Sequence, residues 1–251
     1  MNQIKRRILI VSILLLFTCP LWAQNAREIV RKANDLMRGA STYSEISMTI
    51  TKPEWSRTIV MKAWALEPDY SLVYVTEPAR DRGSVTLKRK QEVWSWVPTV
   101  QRVIKIPPSM MLQSWMGSDF TNDDLVRQSS IVDDYTHSIA GEEILAGYKC
   151  WKIELVPKPD AGVVWGNLLM WISQSNFLEL RTDFYDEDGT VVKSFIGSDI
   201  RIFDGRSLPA HCEMIPVNEP GKKTIIEYRD IRFTVKLDKS FFSEENMKRV
   251  R

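Results

Sequence analysis

Apolar and polar residues alternate strictly from Ser44: Ile46, Met48 and Ile50 interleave with Glu45, Ser47, Thr49 and Thr51. A period of two is the mark of a strand with one buried face. The same reading gives strands over Thr58–Leu66, Tyr70–Thr76, Ser84–Lys90, Glu92–Val97 and Arg102–Ile106. After an interruption it resumes over Tyr135–Ile139, Lys149–Val156, Asn167–Ser173, Phe177–Tyr185, Thr190–Phe203, Ala210–Pro216 and Thr224–Phe233. Short strands with brief connections predict an all-β barrel or sandwich. Asp188-Gly189 predicts a hairpin turn. A calcium loop over Asp186–Gly189 fails because Phe184 stands at its first ligand position.

Helical spacing appears in three places. Asn25–Ala40 puts Ile29, Ala33, Leu36 and Met37 on one face, with Asn25 and Glu28 as a capping box and Gly39 as the stop. Near the end, Ser243 caps a small helix that Phe242 staples to Met247 and that closes one end of the sheet. The third place is the interruption itself. Pro107 and Pro108 stop a strand, Ser109 caps a short helix carrying Met110, Met111, Leu112, Trp115 and Met116, and Gly117 ends it. Thr121 with Asp124 then forms a capping box for a second helix, stapled by Phe120 and Leu125. Three methionines and a tryptophan within seven residues give a soft apolar face, suited either to plugging a core or to flooring a site for variable greasy ligands.

The run from Met110 to Leu125, Met-Met-Leu-Gln-Ser-Trp-Met-Gly-Ser-Asp-Phe-Thr-Asn-Asp-Asp-Leu, resembles the signature of the outer-membrane lipoprotein-sorting protein family, relatives of the periplasmic carrier LolA. Arg82-Gly83-Ser84, Trp94-Ser95-Trp96-Val97-Pro98 and Phe241-Phe242-Ser243-Glu244-Glu245-Asn246 extend the likeness over nearly the whole chain after Ala23. The resemblance implies a mainly β fold with a few helices: an incomplete, half-open antiparallel β-barrel, LolA/LolB-like, wrapped around short helices with a hydrophobic cavity between. The classical carrier lacks the Gly117-Ser118-Asp119-Phe120 block and is shorter, which leaves the cargo open between a lipoprotein and a free lipid.

The ends fix the expected compartment. Met1–Ala23 has the layout of a cleaved secretory signal: Lys5, Arg6 and Arg7, an apolar run from Ile8 to Phe17, and Ala23 before the cut. That run is too short to span a membrane, which needs about 20 residues. Cys19 raises a lipid-anchored alternative, against which Thr18 and Pro20 on either side both argue. The expectation is a periplasmic chain from Gln24 to Arg251 forming a single domain, with no transmembrane segment. Losing the signal removes three cations and no anions, turning the formal balance from +2 to −1, which gives no reason to expect a nucleic-acid partner. Cys150 alternates with Lys152 and Glu154, opposite Trp151, Ile153 and Leu155, whereas Cys212 is in phase with Leu208, Ala210 and Met214. One reads outward and the other inward, so the pattern disfavours a disulfide between them.

Motifs for covalent chemistry, a cofactor or a metal are missing: no nucleophile elbow, phosphate loop, dinucleotide fingerprint, Cys-x-x-Cys or His-Glu-x-x-His. His137 and His211 each stand alone on a strand, and Asp119 and Asp124 read as caps. The expectation is a carrier and not an enzyme, moving lipoprotein or lipid acyl chains between envelope membranes. Its expected lining is Met110, Met111, Trp115, Met116 and Phe120 from the plug, with Met48, Met61, Trp94 and Trp96 from the sheet. Gly117, Ser118 and Asp119 would hinge and cap the plug, and an inner-membrane transporter and an outer-membrane acceptor would be its partners. The alternative is an envelope regulatory or scaffold module that uses the same fold to bind a protein.

Overall fold

The computed structural model describes residues 20–127, 131–159, 161 and 165–251. The signal reading of Met1–Ala23 therefore lies almost wholly outside the described residues, as does the side chain of Leu125 in the proposed staple. Among the described residues thirteen strands form one antiparallel sheet, each matching a strand expected from the alternation. They are β1 (Ser41–Lys52), β2 (Trp55–Leu66), β3 (Tyr70–Glu77), β4 (Val85–Arg89), β5 (Glu92–Val97), β6 (Arg102–Lys105), β7 (Tyr135–Leu145), β8 (Tyr148–Pro157), β9 (Leu168–Ser173), β10 (Glu179–Tyr185), β11 (Val191–Phe203), β12 (Arg206–Pro216) and β13 (Lys223–Phe233). β7 runs on to Leu145, beyond its expected end at Ile139, because a bulge between Ile139 and Gly141 breaks the alternation.

Their order is β6-β5-β4-β3-β2-β1-β13-β12-β11-β10-β9-β8-β7. Two meanders, β1–β6 and β7–β13, are therefore joined where β1 pairs with β13, from Thr42 opposite Phe233 to Thr51 opposite Lys223. The last strand of the first meander and the first of the second are the two free edges, so the sheet does not close. The chain linking them must pass from one edge to the other, and it does so across the inner face.

The long helix α1 (Pro20–Met37) lies on that same face. Ala26, Ile29, Val30 and Ala33 pack on Ile153, Leu155, Leu168, Met170 and Ile172 of β8 and β9. It begins well before Asn25, which is therefore an interior residue and not the expected cap; Leu21, Trp22 and Ala23 continue a helical run that needs no stop there. At its other end the Arg206 guanidinium donates to the carbonyls of Asp35, Leu36 and Arg38, satisfying groups the helix leaves open.

The C-terminal segment does not close an end of the sheet, as the sequence suggested, but covers its outer face. Ser243 caps α3 (Glu244–Met247) as expected, accepting from Asn246 N at 3.3 Å. Phe242, Met247 and Val250 bury Leu72, Tyr74, Val85, Leu87 and Trp94 of β3, β4 and β5. Both Cys150 and Cys212 are free and both are buried. Cys150 lies opposite Trp151, as its phase required, yet it is not open to solvent: Trp171, Leu178 and Leu180 shut it in.

Candidate functional site

The connection from β6 to β7 forms a plug, built differently from the expected pair of helices. In place of one helix capped by Ser109, it makes two single-turn 3-10 segments, Pro108–Met110 and Trp115–Gly117, neither with a side-chain cap. Met116 (φ 55°) and Gly117 (φ 79°) are both left-handed, which bends the chain back so that Ser114 bridges to Thr121. The second helix, α2 (Asn122–Arg127), carries the expected capping box: Thr121 N donates to the Asp124 carboxylate at 2.8 Å and Asp124 N to Thr121 Oγ1 at 3.1 Å.

Polar contacts pin this plug to the sheet. The Trp115 indole N–H reaches Thr86 Oγ1 at 3.1 Å, and Arg57 donates to the carbonyl of Met116 at 2.7 Å. Ser118 Oγ donates to the carbonyl of Trp115 (2.7 Å) and accepts from Phe120 N (3.2 Å), holding the turn. Asp119, expected as a helix cap, is instead a clip between strands. It pairs with Lys52 of β1 at 2.8 Å and accepts from Thr224 of β13 at 2.7 Å, with only 7 % of its side chain exposed. Asp124 makes a second clip, to Lys193 of β11 at 2.9 Å, and Lys193 in turn lies 4.2 Å from the Trp165 ring.

The expected lining is only partly brought together. Met48, Met61 and Trp115 share one buried cluster with Ile50, Ile59 and Val75, and Met116 packs against it. Phe120 and Met111 are half-buried within the plug. Met110 is exposed, as is Leu112 at 58 %, because the proline-started turn holds them off the sheet. Trp94 and Trp96 are on the other side of the sheet altogether, under Phe242 and Met247. Pairing explains it: Trp94 lies opposite Leu87, Leu87 opposite Leu72, and Leu72 opposite Trp64. Met61 stands three residues from Trp64 and so faces the opposite way. Strand period shows that the two tryptophans share a face; it does not say which face is inner.

Between the plug and α1 the inner face is left partly uncovered. Ile46, Val73 and Ile226 border the plug's cluster and remain half-buried. Tyr228, opposite Ile46, borders the cluster that Leu36 and Met37 make with Leu208, Ala210, Ile231 and Phe233. Cys212 lies opposite Ile226, and Glu179 joins from β10. A bulge between Glu179 and Arg181 turns these two side chains to opposite faces: Glu179 pairs with the inward Ile172, Arg181 with the outward Trp171. This hollow is apolar with a few polar groups set deep in it. Desolvation raises the pKa of the Glu179 carboxyl and of the Tyr228 phenol, and pushes the Cys212 thiol up to about 12. A separate depression of about 340 Å³, lined by residues including Glu154, Asn167 and Glu187, lies at the rim of β9 and the β10–β11 turn and shares no residue with the expected lining.

The inward phase of Cys212 was legible from its strand; that of Glu179 was not, because nothing in the run Glu179-Leu180-Arg181 announces a bulge. The hollow can shelter chains and accept or donate hydrogen bonds. His137 is a satisfied core residue, its ring nitrogen 2.9 Å from the carbonyl of Ile131.

A family model described only as that of an uncharacterized-protein-like family matches residues 67–249, well over half of the chain. No curated protein matches it. Among solved structures, the chain is similar to a DUF1329 family protein from Desulfovibrio piger (TM-score 0.82, 24% identity, covering 90% of this chain and 99% of that one). It is also similar to a putative outer membrane lipoprotein-sorting protein domain from Vibrio parahaemolyticus (TM-score 0.79, 21% identity, 90% and 99% covered). A third is a LolA superfamily protein from Nitrosomonas europaea (TM-score 0.75, 21% identity, 88% and 98% covered). These likenesses establish the half-open barrel as a shared fold. The match over residues 67–249 places the chain itself: it belongs to that uncharacterized-protein-like family, on a fold it shares with LolA superfamily proteins.

Proposed function

We propose that this protein is a periplasmic carrier that shelters the acyl chains of a lipid or lipoprotein in the hollow of its open sheet and moves them between envelope membranes, without covalent chemistry. The observation that carries this reading is the uncovered strip of inner face between plug and helix, where Ile46, Val73 and Ile226 keep part of their apolar surface open inside an unclosed sheet. Half-buried apolar groups in a concavity are the condition for taking up a greasy ligand. The demand is large: a sixteen-carbon chain hidden from water is worth on the order of 12 kcal/mol at ~0.8 kcal/mol per methylene. The signal-like N-terminus and the fold shared with lipoprotein-sorting proteins support the periplasm, and no helix among the described residues is long and apolar enough to cross a membrane.

Release calls for a wall that moves. The plug meets the sheet through Trp115, Met116 and two largely buried ion-pair clips, the contacts that lifting its edge would have to break. Purification without detergent followed by lipid mass spectrometry tests the reading, and acyl lipid at near one equivalent is the expected result. Protein that is consistently empty, but held in a stable complex in envelope pull-downs, would overturn carriage in favour of a scaffold module.

A further inference from the structure

The hollow holds two polar groups whose hydrogen-bonding capacity the chain itself does not use. Thr182 Oγ1 donates to Glu179 Oε1 at 2.5 Å, and among the described residues Glu179 Oε2 and Tyr228 Oη have no hydrogen-bond partner. Neither atom is sealed off, since the one buried side-chain atom without a partner among those residues is Arg57 Nε. Both therefore keep some solvent contact, and their residues stand on the inner face, opposite Ile172 and Ile46. Their neighbours are Ile46, Ile226, Cys212, Leu36 and Met37. The nearest cation, Arg38, is already paired with Glu67 at 3.0 Å, its side chain mostly covered. Among the described residues, such a site offers hydrogen bonds but no unpaired cation.

We propose that Glu179 and Tyr228 are a specificity-determining pair that hydrogen-bonds the neutral oxygen functions joining acyl chains to a backbone, so that the hollow selects esterified acyl lipids over free fatty acids. The inference rests on the carriage reading and deepens it. An ester carbonyl accepts from Tyr228 Oη without bringing a charge into a desolvated site. A fatty carboxylate would have to shed its water beside Glu179 with only Arg38, already paired with Glu67, to meet it. Burial favours the protonated forms of both side chains, which suits donation to a neutral acceptor.

The test is fluorescence titration of the detergent-free, delipidated protein at pH 8 with a pyrene-labelled diacylglycerol and a pyrene-labelled fatty acid. Wild-type protein is expected to bind the diacylglycerol at least ~10-fold more tightly. Tyr228→Phe should weaken diacylglycerol binding ~5- to 10-fold, the range of one hydrogen bond, and leave the fatty acid unchanged. Glu179→Gln, which keeps a neutral donor there, should leave the preference in place, whereas Glu179→Leu should weaken diacylglycerol binding as Tyr228→Phe does. Equal binding of the two probes by wild type, or a Tyr228→Phe variant with unaltered diacylglycerol affinity and an unaltered melting temperature, overturns the pair's role while leaving carriage standing. If neither probe binds, the carriage reading fails and the pair's role with it.

Discussion

Asp119 shows how one side chain can replace a stretch of packing. It joins Lys52 and Thr224, residues on the two strands where the meanders meet, to the turn that carries Trp115. Asp119→Asn keeps a partner for Thr224 and loses the ion pair, and we expect a loss of about 1–2 kcal/mol in urea unfolding; Asp119→Ala, which strands both partners, should cost about 2–4 kcal/mol. Glu179 predicts the opposite sign. Its folded-state pKa lies above the ordinary carboxylate value, so its contribution to stability is fully present below about pH 4.5 and drains away as pH rises through the folded value. Glu179→Gln should therefore gain in melting temperature over wild type as pH climbs from 4.5 to 8; parallel curves would count against a desolvated carboxyl. Residue by residue, the sequence disclosed partners less well than phases. Asp119 read as a cap because its local context offered one, and its true partners lie far away in the chain.

At the scale of elements, alternation was enough to find the strands, since each buries one face and the period is directly visible in the chain. Bulges were invisible, and with them went the placement of Glu179. The plug was misjudged for a related reason: local capping chemistry predicted a helix for Met110–Met116, while the left-handed Met116 and Gly117 and the bond to Thr86 are set by where the sheet stands. Trp115→Ala should cost about 3–5 kcal/mol and make the plug the first segment to exchange its amides, observable by hydrogen exchange. The outer-face segment makes an independent prediction. Phe242 is among the largest fully buried side chains, so Phe242→Ala should also cost about 3–5 kcal/mol. That change should expose Trp94 and Trp96 to a fluorescence quencher without altering lipid content.

For the molecule as a whole, the fold came from two sources that could not substitute for each other. Pattern gave a large antiparallel β structure, and the family likeness gave its unclosed shape. Neither told inner face from outer, because β3 carries apolar residues on both faces, Val73 and Val75 in the plug's cluster and Leu72 and Tyr74 under the C-terminal segment. The aromatic wealth of the chain is thus divided between two jobs, and only part of it borders the hollow. The arrangement of the meanders has one more consequence. The N-terminal and C-terminal halves share ten residue pairs along β1 and β13, and the backbone between them crosses only once, through the plug. A chain severed between Arg127 and Ile131 would yield two pieces, each with a complementary strand exposed, that should reassemble when co-expressed and purify together through a tag on either one.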